Sequence, residues 1–228
     1  TRSAFVSALQ ARMGAPVGYK AGLTSEQVQQ RFNASSPVRG TLLRNMLLPA
    51  GSKVSAAFGF RPVFEADLLV RIADSAVNTA TTTAEVAAAI DRVIPFIELP
   101  DLAVSDPAAL DRAAITAINV GARLGVTGEP MAVGPAQPID QLLRTMTVTV
   151  RSNGAVLDEG AGVDVLGDPL RAVLWVAGDL ARHGGNLKVG DLVSLGAFSR
   201  LSRPSPGQTV EVEYRGLPGN PTVSVEFE

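Results

Sequence analysis

An α+β fold built on a mixed, curved sheet with peripheral helices is predicted by three features of the sequence. Near the C-terminus Val210, Val212 and Tyr214 alternate with Glu211, Glu213 and Arg215, and Val223, Val225 and Phe227 repeat that period of two. Helical patterns lie between groups of strands instead of alternating one for one with them, which separates this chain from a doubly wound parallel sheet. No internal repeat or low-complexity linker interrupts residues 1–228, so they read as a single domain.

The elements follow in order. Residues 1–12 carry Phe5, Val6 and Leu9 at helical spacing, and Met13 to Pro16 break the pattern. Residues 17–24 form a short strand holding Lys20 between Gly18 and Gly22; Thr24 or Ser25 then caps a helix over 26–32. Ser36-Pro37 opens a turn before the apolar Gly40-Thr41-Leu42-Leu43. Residues 58–72 read as a strand, and Thr81 to Thr83 cap an alanine-rich helix over 84–93 with Glu85 in its first turn. A second strand covers 94–101, a helix 106–117 with Pro107 in its first turn, and a glycine-rich strand 119–126. Residues 139–150 read as helix then strand, or as strand throughout. Asn153-Gly154 centres a hairpin whose return runs over 156–159, and Gly160-Ala161-Gly162 is a turn. The clearest helix is 170–183. It buries Val173, Leu174, Val176, Ala177 and Leu180, is capped near His183, and stops at Gly184-Gly185. Residues 192–195 are a last strand before the alternating pair.

Composition narrows the function. Apolar residues make up 46% and charged residues 18% of 228 positions, enough for a sizeable core. A net charge of −2 without a basic run argues against a nucleic-acid partner. No apolar stretch reaches membrane-span length, and the expected location is the cytoplasm. With no cysteine there is no thiolate site, and with His183 as the single histidine there is no multi-histidine metal site. No Gly-x-Ser-x-Gly elbow is present.

Glu65 and Asp67 are one residue apart in a strand, so their carboxylates share a face. Glu98 lies in a second apolar strand. Burying carboxylates without a partner is costly, and a shared hard cation relieves the cost. Oxygen-only ligands favour Mg²⁺, with Mn²⁺ and Ca²⁺ suited to the same donors. The other reading is an exposed acidic strand edge. Lys20 could bind a substrate carboxylate or move a proton, or it could be an exposed lysine in a turn.

Gly18-Tyr19-Lys20-Ala21-Gly22-Leu23-Thr24 resembles the Gly-Tyr-Lys-x-Gly-Leu-Thr segment of the 2-keto-4-pentenoate hydratases, within the fumarylacetoacetate hydrolase superfamily. Pro62 to Asp67 resembles that family's Pro-x-x-Glu-x-Glu strand, and Pro95-Phe96-Ile97-Glu98 its next ligand strand. Gly160 to Gly162, Leu166-Gly167, Trp175, Gly190-Asp191 and Pro206-Gly207 follow the family's C-terminal half in order, so the resemblance spans nearly the whole chain. It implies a sheet or barrel of the fumarylacetoacetate hydrolase C-terminal type, with an N-terminal helical region missing or trimmed. It also implies a divalent cation held by Glu65, Asp67 and Glu98, with Lys20 catalytic. Gly40, Thr41 and Leu42 are expected to line the substrate pocket through their backbone. The implied activity is hydration of a small 2-oxo or enol acid, as in aromatic-compound catabolism, with decarboxylation or C–C hydrolysis as alternatives. A homo-oligomer is the implied assembly.

Four departures stand out. Val38 follows Pro37 where the hydratases carry an aspartate that transfers a proton; Arg39 stands at a usually aromatic position. The second ligand is Asp67 instead of glutamate, and Gly196-Ala197 replaces Gly-Ser. Arg39 and Asp101 are the polar residues expected to stand in for the missing groups in substrate binding.

Overall fold

A computed structural model describes residues 2–106, 110–134 and 137–228. In chain order the elements are α1 (Arg2–Met13), β1 (Pro16–Gly22), α2 (Glu26–Arg31), β2 (Val38–Leu43), β3 (Leu47–Pro49), β4 (Ser52–Val54), β5 (Glu65–Ile72), α3 (Thr83–Ala88) and β6 (Ile90–Leu99). There follow α4 (Arg112–Ala117), β7 (Leu124–Thr127), β8 (Met131–Ala132), α5 (Ile139–Thr145), β9 (Thr147–Ser152), β10 (Ala155–Ala161), α6 (Arg171–Arg182), β11 (Leu192–Ser194), β12 (Thr209–Arg215) and β13 (Thr222–Phe227).

The larger sheet has the order β2-β1-β11-β5-β6-β7-β3, with β8 also on β6; the smaller has the order β10-β9-β12-β13-β4. Both are mixed, because β1–β11, β3–β7 and β13–β4 pair parallel within otherwise antiparallel sheets. This is the α+β, mixed-sheet architecture expected from the sequence.

β5 decides where the site lies. Ala66, Leu68 and Val70 face the main core, where they join Val210, Val212 and Tyr214 of β12, Val223 and Val225 of β13, and Val173, Val176 and Leu180 of α6. Successive side chains in a strand point to opposite faces, so Glu65, Asp67 and Leu69 face the other way. There Leu69 packs with Leu42, Ile94 and Phe96. The strand is therefore covered on both faces, which explains its nearly unbroken apolar run.

The helix expected over 84–93 ends earlier. The Thr82–Glu85 capping box forms, but α3 stops at Ala88, and Ile90 onward belongs to β6. Ile90 and Val93 pair with Ile72 and Val70, and the burial gained in the sheet overrides the helical preference of the alanines. Asp111 caps α4, and the earlier helix start expected at Pro107 lies outside the described residues. Residues 119–121 form a 3-10 turn, and the strand begins only at Leu124. The Asn153-Gly154 hairpin forms with both residues at positive φ (49° and 83°), as a type I′ turn requires. Gly160 lies within β10 instead of a turn. A Cβ there would sit 1.8 Å from the Phe198 carbonyl oxygen, so only glycine admits the crossing chain.

Candidate metal centre

Lys20, Asp67 and Glu98 are 3%, 0% and 1% exposed, which no isolated charged group tolerates without a partner. β5 and β6 run antiparallel with Glu65 directly opposite Glu98 and Asp67 opposite Phe96. From β1, Lys20 Nζ forms a short ion pair with Glu98 Oε1 and donates to the Val120 carbonyl (3.1 Å). The Lys20 contact lies off the hydrogen-bonding direction, so Glu98 Oε1 has no aligned donor. Asp67 is held more tightly. Ser194 Oγ donates to Oδ2 in a short bond, and the amides of Leu68 (2.6 Å) and Gly196 (3.0 Å) donate to Oδ1.

Three carboxyl groups thus face one ammonium. Burial, then the charge on Glu98, pushes Glu65 well above the usual carboxylate range. The same two causes push Asp67 up to about 8, against the opposing pull of Ser194 and the Leu68 amide. Among the described residues no three Asp, Glu, His or Cys side chains are already arranged as a cation cage. The donor set nevertheless fits a hard divalent cation. Its ligand atoms are all carboxylate oxygens, one of them lacks an aligned donor, and two negative charges beyond the one balanced by Lys20 are available to a +2 ion. Glu65 and Glu98 are the better placed, since protein donors already engage both Asp67 oxygens.

Lys20 and Glu65 line a cavity of about 810 Å³, at the upper part of the range for small-molecule sites. Of the other expected residues, Gly40 pairs with Lys20 across β1–β2, and a Cβ there would sit 2.8 Å from Lys20 Cγ and 2.7 Å from the Asn119 oxygen. Gly40 therefore makes room for Lys20. Thr41 donates its amide to Asn119 Oδ1 (2.8 Å) and accepts from Asn119 Nδ2 (2.9 Å), so its backbone is already committed. Leu42 packs with Leu69, Ile94 and Phe96. None of these three lines the cavity.

Arg39 is not brought to the cavity. Its guanidinium pairs with Asp179 of α6 (2.8 Å) and stacks on Tyr19 (5.3 Å), because residue 39 faces the side of β2 opposite Gly40. Asp101 accepts from the amides of Phe60 and Arg61, away from the cavity. Val38 is buried with Leu23, Phe32, Ile115 and Val120, so no acid stands in that wall. Ala197 lines the cavity, as does Ser199, whose Oγ accepts from the Ala66 amide (2.9 Å) and brings a hydroxyl two residues further on. His183 caps α6, with Nδ1 2.7 Å from the Asp179 carbonyl, as its position before Gly184 suggested.

Sequence reasoning missed Asn119, Ser194 and Tyr214. Asn119 imitates a strand beside Thr41 and holds Val120 at φ 57°, a conformation that costs a β-branched residue but aims its carbonyl at Lys20. Tyr214 Oη, from the smaller sheet, reaches the carbonyl oxygens of Asp67 (2.5 Å) and Phe96 (2.9 Å). Only the Tyr214 position carried a sequence signal, its place on the buried phase of β12.

The chain matches no family model. It is 31% identical over 201 residues to a 4-oxalocrotonate decarboxylase of Pseudomonas putida, covering 88% of this chain and 74% of that one. It is 28% identical over 212 residues to a 2-keto-4-pentenoate hydratase of Paraburkholderia xenovorans, covering 93% and 76%. The structure of a 4-oxalocrotonate decarboxylase from Pseudomonas putida G7, complexed with magnesium and adipate, superposes with a TM-score of 0.86. That match has 27% identity and covers 100% of this chain and 83% of that one. A fumarylacetoacetate isomerase/hydrolase structure from Oleispira antarctica shares the fold, with a TM-score of 0.67 and 15% identity over 93% of this chain and 94% of that one. With its fold, its buried carboxylates and these likenesses, the chain belongs to the 4-oxalocrotonate decarboxylase and 2-keto-4-pentenoate hydratase family, with a fold shared with fumarylacetoacetate hydrolase-type structures.

Proposed function

We propose that the chain is a divalent-metal-dependent lyase for a small 2-oxo or enol carboxylic acid, with hydration of the 2-keto-4-pentenoate type as the first reading. The observation that carries it is the cluster of Lys20, Glu65, Asp67 and Glu98, of which Lys20, Asp67 and Glu98 are buried and Lys20 and Glu65 line the cavity. Glu65 and Glu98, with Asp67 beside them, would hold the ion, for which we assign Mg²⁺; Mn²⁺ and Ca²⁺ suit the same oxygens. The similar decarboxylase structures with magnesium and with calcium support that assignment. A bound cation supplies polarisation of the 2-oxo carbonyl and stabilisation of the negative charge that develops there. Lys20, fixed between Glu98 and the Val120 carbonyl, offers an ammonium to the substrate carboxylate and a proton at Nζ. Leu23, Phe32, Ile115 and Val120, backed by Val38, give the cavity an apolar side that would exclude water from the bound acid.

Val38 favours a second reading. Hydration moves a proton to or from water and is served by an acid near the substrate, which this apolar wall lacks. Decarboxylation needs a charge sink at the carbonyl and a proton for the product, which the ion site and Lys20 supply. Self-association as a homo-oligomer belongs to the same proposal, supported by exposed Val156 and Leu157 on the edge strand β10. We also assign activity in the cytoplasm within aromatic-compound breakdown; no helix among the described residues is long and apolar enough to cross a membrane.

The test follows 2-hydroxypenta-2,4-dienoate with Mg²⁺ or Mn²⁺ by loss of the dienol absorbance, and 4-oxalocrotonate by CO₂ release. Dienol loss establishes the hydratase reading. CO₂ release without dienol turnover moves the chain to the second, and inertness toward both defeats the proposal.

A further inference from the structure

Resting on the 2-oxo-acid reading, we propose that the Thr24 hydroxyl is a further substrate-binding group, donating a hydrogen bond to the head of the acid on the Asp67 side of the site. Two features of the backbone seat this side chain. β1 ends at Gly22, and Leu23 follows at φ 57°, a left-handed conformation that is unfavourable for a residue with a Cβ. The Leu23 carbonyl accepts from Gln29 Nε2 (2.9 Å) and the Thr24 carbonyl from the Leu166 amide (3.0 Å), so the bend is held at both residues. Gly196 makes the room. It stands at φ 110°, and a Cβ there would lie 2.3 Å from Thr24 Oγ1 and 2.7 Å from Thr24 Cγ2. The Gly196 amide donates to Asp67 Oδ1 (3.0 Å), which sets Thr24 beside the carboxylate cluster.

Thr24 is 6% exposed and lines the cavity together with Lys20 and Glu65. Among the described residues Ser25 and Ser199 also bring hydroxyls to this cavity, and both oxygens serve the backbone. Ser25 Oγ accepts from the Val28 amide (3.3 Å) and Ser199 Oγ from the Ala66 amide (2.9 Å). Thr24 Oγ1 has no hydrogen-bond partner among the described residues. A hydroxyl this deeply buried is destabilising unless its hydrogen bond is made. The neighbouring Asp67 oxygens already accept from Ser194, Leu68 and Gly196, so the protein does not use this proton there. An acceptor oxygen on the ligand completes the group, and the carboxylate and 2-oxo oxygens of the proposed substrate class are acceptors of that kind.

Calorimetric titration of the Mg²⁺-loaded protein with oxalate, which presents the adjacent oxygens of a 2-oxo-acid head, tests the assignment. Thr24→Val keeps the shape of the side chain and removes the hydroxyl; Thr24→Ser keeps the hydroxyl. Thr24→Val is expected to bind oxalate about tenfold more weakly, the loss of one hydrogen bond to a charged oxygen. Its Mg²⁺ affinity should be unchanged and its ligand-free Tm should equal or exceed that of the wild type, because no hydrogen bond within the protein is lost. Thr24→Ser should retain most of the oxalate affinity. The same order should hold for kcat/KM with a 2-oxo acid. Undiminished oxalate binding in Thr24→Val, equal losses in the valine and serine variants, a loss accompanied by lower Mg²⁺ affinity or lower ligand-free Tm, or no oxalate binding by the wild type would each overturn the assignment. If oxalate binding depends on the hydroxyl while no 2-oxo acid is turned over, the Thr24 contact stands and the lyase reading fails. If a 2-oxo acid is turned over equally well by Thr24→Val, the lyase reading stands and the Thr24 contact fails.

Discussion

Gly40→Ala should disable the site while adding a single methyl group. The glycine is not needed for its backbone freedom, since its φ is not in the left-handed region; it is needed for space. The new Cβ would lie 2.7 Å from the Asn119 carbonyl oxygen, 2.8 Å from Lys20 Cγ and 3.2 Å from Lys20 Cδ. Carbon atoms pack at ~3.5–4.0 Å, so the Lys20 contacts fall short by roughly 0.5–1 Å. The Asn119 side chain is tied to the Thr41 backbone by two hydrogen bonds, which hold that residue beside β2 and leave the Lys20 stem to move. Its ammonium then leaves the position between Glu98 and Val120. Overpacking of this size costs ~1–3 kcal/mol, which for a domain of this length lowers Tm by roughly 2–12 °C. Misplacing a catalytic group by ~1 Å costs about a hundredfold in rate. The assay is thermal unfolding beside steady-state kinetics at saturating Mg²⁺, with Val86→Ala as a control that loosens the core beneath α3, away from Lys20. If Gly40→Ala keeps wild-type kcat/KM, or loses no more than Val86→Ala at equal Tm, the close packing of Gly40 on Lys20 does not position the ammonium.

The remaining predictions concern the carboxylates and their support. Glu98→Gln should abolish the rise in Tm that Mg²⁺ or Mn²⁺ produces; an undiminished rise would remove Glu98 from the ion site. In metal-free protein, Asp67 titrates near 8 and Glu65 well above its ordinary value, so the folded chain holds protons that the unfolded chain releases near 3.8 and 4.5. Stability is therefore fully present below about pH 4 as far as these two groups are concerned, and falls as pH rises through 8, by ~1.4 kcal/mol per unit for one such group. Urea midpoints of chelator-treated protein between pH 5 and 9 should show this fall, and a flat profile would contradict proton-holding carboxylates. Cation affinity should rise over the same window with proton release, visible as a buffer-dependent heat of binding. Tyr214→Phe removes the hydroxyl bonded to the Asp67 and Phe96 carbonyls and should cost about 1–3 kcal/mol in denaturant unfolding, because both acceptors are buried. A loss within experimental error would mean that the β5–β6 ladder satisfies those carbonyls alone.

Local pattern carried the sequence reading where physics is local. The Asn-Gly hairpin, the threonine cap of α3 and the end of α6 at Gly184 depend on φ preferences and short-range hydrogen bonds, and all three form as read. The reading failed where the sheet competes with the helix, as at Ile90 to Val93, because β5 supplies partners that no window around Ala84 contains. Arg39 was misplaced for a related reason. Adjacent strand residues face opposite ways, and whether position 39 or position 40 faces Lys20 depends on which sides of β2 are covered.

Sequence alone determined the kind of chemistry. Without cysteine and with one histidine, two carboxylates at a spacing of two and a third in a neighbouring apolar strand leave hard-cation oxygen chemistry as the natural use for such groups. Tertiary structure decided how those groups stand to one another. The antiparallel register sets Glu65 against Glu98, β1 brings Lys20 to Glu98, and β11 with the chain beyond it gives Asp67 its donors from Ser194 and Gly196. Those partners lie up to 129 residues away along the chain, and whether a buried carboxylate is a free ligand or a saturated acceptor depends on which donors the fold brings to it.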